Sequence, residues 1–123
     1  MKSRRISRIF ALQALFALEF HKDKSMESVK LLDELLPELK NDAYALELIS
    51  KVLEEYSFLN KQISEKALKW SLHRINYVDR NILRLGFAEL KLNIDKAIVI
   101  NEYVEIAKQF STSESSSFIN GIL

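Results

Sequence analysis

The chain has 123 residues, with two glycines, one proline, no cysteine and a formal net charge of +1. This length allows one domain with a real core, and 48% hydrophobic with 28% charged residues is typical of a globular protein. So few turn-forming residues argue against many short strands, which predicts a single all-α domain. The lack of cysteine excludes thiolate metal sites. No apolar run reaches the roughly 18 residues of a membrane span, so a cytoplasmic location is expected.

The small net charge hides a segregation of sign along the chain. Residues 1–18 carry four cations and no acid, whereas residues 26–59 carry eight acids against three lysines. Residues 60–91 are basic again, with seven cations against three acids. If the fold brings the two basic blocks together, they form a patch suited to a polyanion. If it does not, they are ordinary solvated surface.

The first predicted helix spans about 4–20. Its apolar side chains cover nearly the whole circumference, which is typical of a central helix. Only its opening turn is polar, where Arg4, Arg5 and Arg8 lie within an arc of about 100°. These three arginines make up most of the first basic block.

Five further helices follow from periodicity and capping residues. They are predicted over 26–36, from 42 to about 67, and over 78–92, 96–110 and 114–122. Either Asn41 or Asp42 opens the long helix, Asp95 and Ser25 are placed to cap two others, and 69–76 is expected to be an ordered connection. The inward side chains of the 96–110 helix are predicted to be Ile98, Tyr103, Ile106 and Phe110.

The helix over 78–92 carries a cationic stripe. Arg80, Arg84 and Lys91 fall within about 40° of one another on a helical projection, and Arg74 lies just upstream. A single stripe of this kind fits either a solvated face or one side of an anion-binding surface.

Two acids on the same helix have different predicted roles. Asp79 lies at the helix start, where a carboxylate caps the backbone and complements the helix dipole. Glu89 falls in the middle of the apolar arc. A carboxylate in that position must either find partners inside the protein or face a neighbouring protein.

No catalytic constellation is visible in the sequence. His21 and His73 lie in predicted connections, far apart along the chain, and neither is spaced as a metal ligand. There is no glycine-rich phosphate loop, no nucleophile elbow and no cysteine. The chain is therefore predicted to be a binding protein without a cofactor, not an enzyme.

Phe118 stands apart from the other aromatic residues because it follows three serines in a polar neighbourhood. On the residues alone it fits either core packing or a partly exposed position. An exposed aromatic beside cations suits unpaired bases, for which stacking contributes about 1–3 kcal/mol per base.

Four segments of the chain, in order, resemble the NusB family of bacterial transcription antitermination factors. The most specific is WSLHRINYVDRNILRLGFAEL at 70–90, which resembles the family signature. AIVINEYVEIAKQF at 97–110, SFINGIL at 117–123 and RRISRIFALQALFALE at 4–19 are similar to other conserved stretches of that family. Together they cover nearly the whole chain.

The resemblance implies an all-helical fold of two small packed bundles, with about six or seven helices and no catalytic activity. Family members pair with NusE, a ribosomal protein of the small subunit. The pair binds the single-stranded boxA element of nascent ribosomal RNA leaders and acts within the antitermination complex of RNA polymerase. Residues 1–123 are accordingly expected to be one RNA-binding domain.

The resemblance also implies roles for individual residues at matching positions. Those expected to contact RNA are Arg4, Arg5, Arg8, Arg74, Arg80 and Phe118. Phe16 and Glu89 are expected on the side that meets NusE. The stretch between Phe110 and Phe118 departs from the family pattern, because Glu114 is its only acid.

Two alternatives stay open. One is a helical scaffold that binds proteins, or a homodimer, without direct contact to RNA. The other arises because the same fold forms the RNA-binding front end of some rRNA cytosine methyltransferases. This chain contains no cofactor-binding βαβ segment, which argues against methyltransferase activity.

Overall fold

A computed structural model describes residues 3–21, 24–30, 32, 36–67 and 74–123. Throughout these ranges the regular structure is helical and no strand occurs, so the predicted all-α fold is confirmed. The helices are α1 (Arg4–Leu18), α2 (Met26–Lys30), α3 (Ala43–Glu54), α4 (Tyr56–Lys66), α5 (Tyr77–Leu90), α6 (Lys96–Phe110) and α7 (Ser113–Ile122), with a 3-10 turn at Leu39–Asn41.

The predicted caps begin their helices as expected. The Asp42 carboxylate accepts a hydrogen bond from the Ala45 amide at 3.0 Å. Asp95 accepts one from the Ala97 amide at 2.8 Å. Ser25 Oγ accepts one from the amide three residues further on, at 3.3 Å. Each cap satisfies a backbone donor that would otherwise lack a partner in the first turn.

The long helix predicted from 42 to about 67 is wrong in one respect, because it consists of two helices. Glu55 leaves helical geometry with φ −111° and ψ 26°, and α3 and α4 meet there. Glu55 stays bonded to both helices, because its amide donates to the Lys51 carbonyl at 3.1 Å and its carbonyl accepts from the Leu59 amide at 2.8 Å. The apolar stripe continues across it, so spacing alone could not reveal the break.

Two other predictions fall partly outside the described residues. The helix expected over 26–36 is described as α2 and at Leu32 and Leu36, where the Leu36 amide donates to the Leu32 carbonyl at 2.8 Å. Of the connection expected over 69–76, only 74–76 is described.

Helix α5 is the centre of the fold. Helices α1, α2 and α3 pack together, α4, α6 and α7 pack around α5, and α1 and α3 also lie against α5. This is the arrangement of two joined bundles that the sequence predicted. Every residue from 81 to 89 is buried, including the polar Asn81, Arg84 and Glu89, as expected for a helix surrounded by the others.

Helices α1 and α5 run antiparallel. Arg8 near the start of α1 binds Glu89 near the end of α5. Glu19, just after α1, binds Arg84 nearer the start of α5. The amino end of α1 therefore lies beside the carboxyl end of α5. This orientation decides where the two basic blocks fall.

The inward face predicted for α6 is correct for two of its four residues. Tyr103 and Ile106 are fully buried. Ile98 and Phe110 are 53% and 39% exposed, so their predicted burial is wrong, and Val99 is fully buried instead. The packed face of α6 is narrower than the apolar arc of its sequence. None of the described helices is long and apolar enough to cross a membrane.

Candidate nucleic-acid interface

The starts of α5 and α7 enclose a pocket of about 270 Å³, here called the α5–α7 pocket. Its lining residues are Arg74, Ile75, Asn76, Asp79, Thr112, Glu114, Ser115 and Phe118. Arg74 is exposed, and Phe118 is partly buried with its inner side against the core. The fold thus brings together a cation and an aromatic ring that are 44 residues apart, which a site for an unpaired base requires.

Asp79 holds the two sides of this pocket together. Its Oδ2 accepts hydrogen bonds from Ser115 Oγ at 2.7 Å and from Asn76 Nδ2 at 3.1 Å. Asn76 Oδ1 in turn accepts the Asp79 amide at 2.8 Å and caps α5. The structural role predicted for Asp79 is correct, but the residue that caps α5 is Asn76 and not Asp79. The link to Ser115 was missed, and nothing in the spacing of a serine-rich segment could have revealed it.

Arg80 lies beside the same pocket in a fixed position. Its Nε donates to the Ile75 carbonyl at 2.7 Å, and its guanidinium lies 4.7 Å from the centre of the Tyr77 ring. The side chain is only partly buried, so the cation stays within reach of solvent. Arg74 and Arg80 therefore supply positive charge at the start of α5.

Arg8 lies in the interior, contrary to the expectation of a surface cation. The residue is 2% exposed, and its Nε donates to the Glu89 carboxylate at 2.8 Å. Glu89 is fully buried and also accepts from Tyr44 at 2.8 Å and from Tyr103 at 2.8 Å. Arg8 cannot reach a phosphate from there, and Glu89 cannot touch a partner protein. The interior alternative for Glu89 is the one that the geometry supports.

The buried network keeps its charges. Burial disfavours the charged form of Glu89, but hydrogen bonds from Arg8, Tyr103 and Tyr44 outweigh it and lower the pKa of the carboxyl. Burial likewise disfavours the charged form of Arg8, and the hydrogen bonds and charge of Glu89 reverse this, raising the pKa of the guanidinium. Burial and then Glu89 raise the pKa of Tyr44 to about 12. Arg8 and Glu89 therefore remain an ion pair at neutral pH.

The cationic stripe predicted along α5 is not a surface stripe. Arg84 is 2% exposed, and its guanidinium is bound by Glu19 at 2.7 Å and by Asn60 at 2.8 Å. Lys91 is exposed, but its ammonium lies 3.2 Å from a Glu55 oxygen. Only Arg80 of the three remains beside the α5–α7 pocket. Sequence spacing placed these cations on one side of the helix correctly but could not tell which neighbours cover that side.

The arginines of the first basic block do not lie beside Arg74 and Arg80, so these cations do not form the single patch that the sequence left open. Arg5 is exposed and pairs with Glu102, and Arg4 lies 4.7 Å from the centre of the Tyr44 ring. Both lie near the carboxyl end of α5, whereas Arg74 and Arg80 lie at its start. Glu89, which binds Arg8, lies roughly 13 Å further along α5 than Arg80. This distance separates the first basic block from Arg80.

Phe16 is on the surface, as a partner contact requires. It is 40% exposed and lines an apolar groove of about 230 Å³ together with Leu12, Gln13, Val78 and Phe110. Its ring packs edge-on against Phe20 at 5.8 Å, and Phe20 packs against Tyr77 at 5.2 Å. We call this surface the aromatic groove. Val78, in the first turn of α5, lines the groove, so the aromatic groove lies close to Arg80.

No metal-binding cluster of acids and histidines occurs among the residues that the structure describes. His21 is exposed, and His73 lies outside the described residues. The prediction that the chain is not an enzyme stays a prediction.

The fold and the pocket together define an all-helical protein that carries two arginines and an aromatic ring at the start of α5. The model of the NusB family matches residues 5–123. Transcription antitermination protein NusB of Citrifermentans bemidjiense is 36% identical, over all of this chain and 92% of the relative. The NusB of Chloroherpeton thalassium is 33% identical over 98% of this chain, which spans 59% of that relative's length. The chain belongs to the NusB family.

Solved structures are similar over nearly the whole chain. T. maritima NusB superposes with a TM-score of 0.83 at 38% identity, covering 98% of this chain and 87% of the other. A crystal structure of antitermination factors NusB and NusE in complex with dsRNA gives a TM-score of 0.79 at 27% identity, covering 97% and 91%.

Proposed function

We propose that this protein is a transcription antitermination factor that, together with NusE, binds single-stranded boxA RNA of nascent ribosomal RNA leaders. It acts as an adaptor without chemistry within the antitermination complex of RNA polymerase in the cytoplasm, and residues 1–123 form one RNA-binding domain. Membership of the NusB family supports this role, as does the similarity to a NusB–NusE complex with RNA. The observation that carries the RNA contact is the meeting of Arg74 and Phe118 in the α5–α7 pocket. Arg80 lies beside the pocket, bound to the carbonyl of Ile75 in its lining.

The chemistry of this pocket fits an RNA strand with splayed bases. Arginines neutralise phosphates and give affinity with little sequence information. The partly exposed ring of Phe118 offers a stacking surface, and Asn76 and Thr112 offer polar groups to a base edge. A strand that continues along the molecule would then reach Arg4 and Arg5. Arg8 contributes only indirectly, by fixing α1 through Glu89.

The aromatic groove is the surface that we assign to NusE. A groove lined by Phe16, Val78 and Phe110 suits an apolar anchor of a partner protein. Its position near the start of α5 would let NusE and the RNA bind side by side. Such an arrangement explains why the pair should bind RNA more tightly than this chain alone.

The test is a titration of labelled single-stranded boxA RNA, with and without NusE, against purified variants. Arg74→Ala combined with Arg80→Ala should weaken binding and lower the salt slope by about 1.4, because each lost phosphate contact contributes about 0.7 for single strands. Phe118→Ala should weaken binding with little change in slope. A duplex of the same sequence serves as a second ligand.

Two exposed lysines elsewhere provide the matched control. Lys30→Ala with Lys40→Ala removes the same charge away from the pocket, and binding should stay near the wild-type value. If the arginine double variant binds with unchanged affinity and slope while it remains folded by circular dichroism, the pocket is not the RNA contact. Phe16→Ala should weaken only the binding that depends on NusE.

A helical scaffold or homodimer is the second candidate, and the exposed aromatic groove favours it. Two copies meeting through Phe16 and Phe110 would bury apolar surface that a monomer leaves exposed. Size-exclusion chromatography with light scattering distinguishes the two. Self-association lost in Phe16→Ala, with no response to RNA, supports the scaffold.

A further inference from the structure

A second pocket, here called the lysine pocket, lies at the carboxyl end of α5, the opposite end from Arg74 and Arg80. Its volume is about 350 Å³, within the range of small-molecule sites. Its lining residues are Gln62, Lys66, Phe87, Leu90, Lys91, Ile94, Lys96 and Leu123. Three of the eight are lysines and none of these eight is acidic.

The three cations come from three different elements. Lys66 ends α4, Lys91 caps the end of α5, and Lys96 begins α6. Lys91 pairs with Glu55 at 3.2 Å, whereas no ion pair within the described ranges involves Lys66 or Lys96. Asp95 adds one carboxylate nearby, which caps α6. The rim therefore keeps an excess of positive charge that the protein does not neutralise.

The floor of the lysine pocket is apolar and includes one unusual polar group. Leu90, Ile94 and Leu123 are partly exposed there, and Phe87 lies beneath them with 4% exposure. The side-chain oxygen of Gln62 is shut off from solvent and accepts no hydrogen bond from the described residues. An oxygen of this kind is costly unless a donor reaches it.

We propose that the lysine pocket binds a nucleotide, with the phosphate on Lys66 and Lys96 and the base on the apolar floor. Gln62 lines the pocket, and its amide has to turn toward a bound base, because its oxygen is shut off from solvent in the unbound chain. A glutamine amide both donates and accepts, and it matches the edge of adenine better than any part of an aliphatic anion. The leucine and isoleucine side chains cover one face of a flat base. Lysine ammonium groups hold phosphate as point charges.

Two sources can supply the same chemistry: a free mononucleotide, or one nucleotide of a single-stranded RNA. The lysine pocket and the α5–α7 pocket lie at opposite ends of α5, a helix of 14 residues and hence about 21 Å. The two sites are thus separable by mutation. The proposal stands on the pocket residues whether or not the proposed antitermination role holds.

The experiment follows the methyl NMR signals of Leu90, Ile94 and Leu123 while AMP is added to the whole chain. These signals should shift saturably, and Lys66→Ala with Lys96→Ala should weaken AMP binding about tenfold or more, as expected when charge-assisted contacts are lost. Both lysines are exposed, so the variant should fold. Lys30→Ala with Lys40→Ala is the charge-matched control and should leave AMP binding unchanged.

Further titrations distinguish a free mononucleotide from a nucleotide of single-stranded RNA, and either of them from simple phosphate binding. Inorganic phosphate should bind more weakly than AMP, and Gln62→Leu should reduce that difference. If AMP causes no shifts but a short single-stranded oligoadenylate does, and the lysine variant loses this response, the source is RNA and the site stands. If neither ligand shifts these methyls, or the control variant weakens binding equally, the proposal is overturned. Arg74→Ala with Arg80→Ala should leave AMP binding intact, which keeps this result independent of the RNA role.

Discussion

The guanidinium of Arg8 is held by the carboxylate of Glu89 in the interior of the protein, although 81 residues separate them in the chain. Tyr44 and Tyr103 donate to the same carboxylate, so four helices meet at one buried charge. A buried charge without its partner would destabilise the folded state. The network therefore fixes how α1 lies on α5. It thereby fixes which arginines of α1 can face solvent.

Removing the buried carboxylate should destabilise the protein strongly. We expect Glu89→Gln to lower the free energy of unfolding by about 3–5 kcal/mol, because the buried Arg8 charge loses its fully buried counter-ion and keeps only the more exposed Glu102, 3.2 Å away. Urea denaturation followed by circular dichroism measures this. Glu105→Gln is the control, since Glu105 belongs to a surface pair with Lys108 and should change stability by less than about 1 kcal/mol. Equal effects of the two variants would contradict the structural role of Glu89.

The same carboxylate should make stability depend on acid pH. The folded pKa of Glu89 is lowered, since hydrogen bonds from Arg8 and the two tyrosines outweigh its burial. The stability it contributes is therefore complete above its ordinary pKa of 4.5 and is lost as the pH falls through the lower folded value. Unfolding free energies of the wild type and Glu89→Gln should converge as the pH drops. A constant difference down to the lowest measurable pH would argue against this.

Tyr44 should contribute on the alkaline side with the opposite sign. Burial and Glu89 raise its pKa to about 12. Its contribution is thus complete below the ordinary phenol pKa of 10.0 and is lost as the pH rises through about 12. The difference in unfolding free energy between the wild type and Tyr44→Phe should shrink above pH 10. A difference that stays constant above pH 10 would contradict this role of Tyr44.

Two arginines one helical turn apart should behave differently. Arg84→Ala should cost about 3–5 kcal/mol of stability, because Glu19 would lose its cationic partner at a buried site and keep only the Asn81 amide. Arg80→Ala should cost less than about 1 kcal/mol, since this side chain is partly solvated. Thermal unfolding compares them. Similar losses for both would mean that α5 has one continuous structural stripe.

The contact between Asp79 and Ser115 should hold the start of α7 in place. Ser115→Ala removes the 2.7 Å hydrogen bond and should lower stability by about 1–3 kcal/mol. Amide exchange in α7 should quicken more than exchange in α1. Ser117→Ala, on the exposed side of α7, is the matched variant and should leave exchange unchanged. Unaltered protection of α7 in Ser115→Ala would show that the helix is held by apolar packing alone.

Particular residues show how far sequence reasoning reached. The sequence predicted the helical class and the caps at Asp42 and Asp95. These features depend on residues only a few positions away in the chain. The break at Glu55 was not predicted, since the apolar spacing of the sequence continues across it. In the candidate site, Arg74 and Phe118 were predicted and do line one pocket. Arg8 was predicted for the surface and lies in the interior.

What the sequence by itself determined is the helical class, the positions of most helices and the family, because periodicity, caps and motifs are local properties of the chain. Only the tertiary structure decided which charges are buried. Arg80 and Arg84 share one side of α5, yet Glu19 and Asn60 cover the second and not the first. The antiparallel docking of α1 on α5 separated two basic blocks that the sequence allowed to meet. Burial depends on partners distant in the chain, and no local pattern records them.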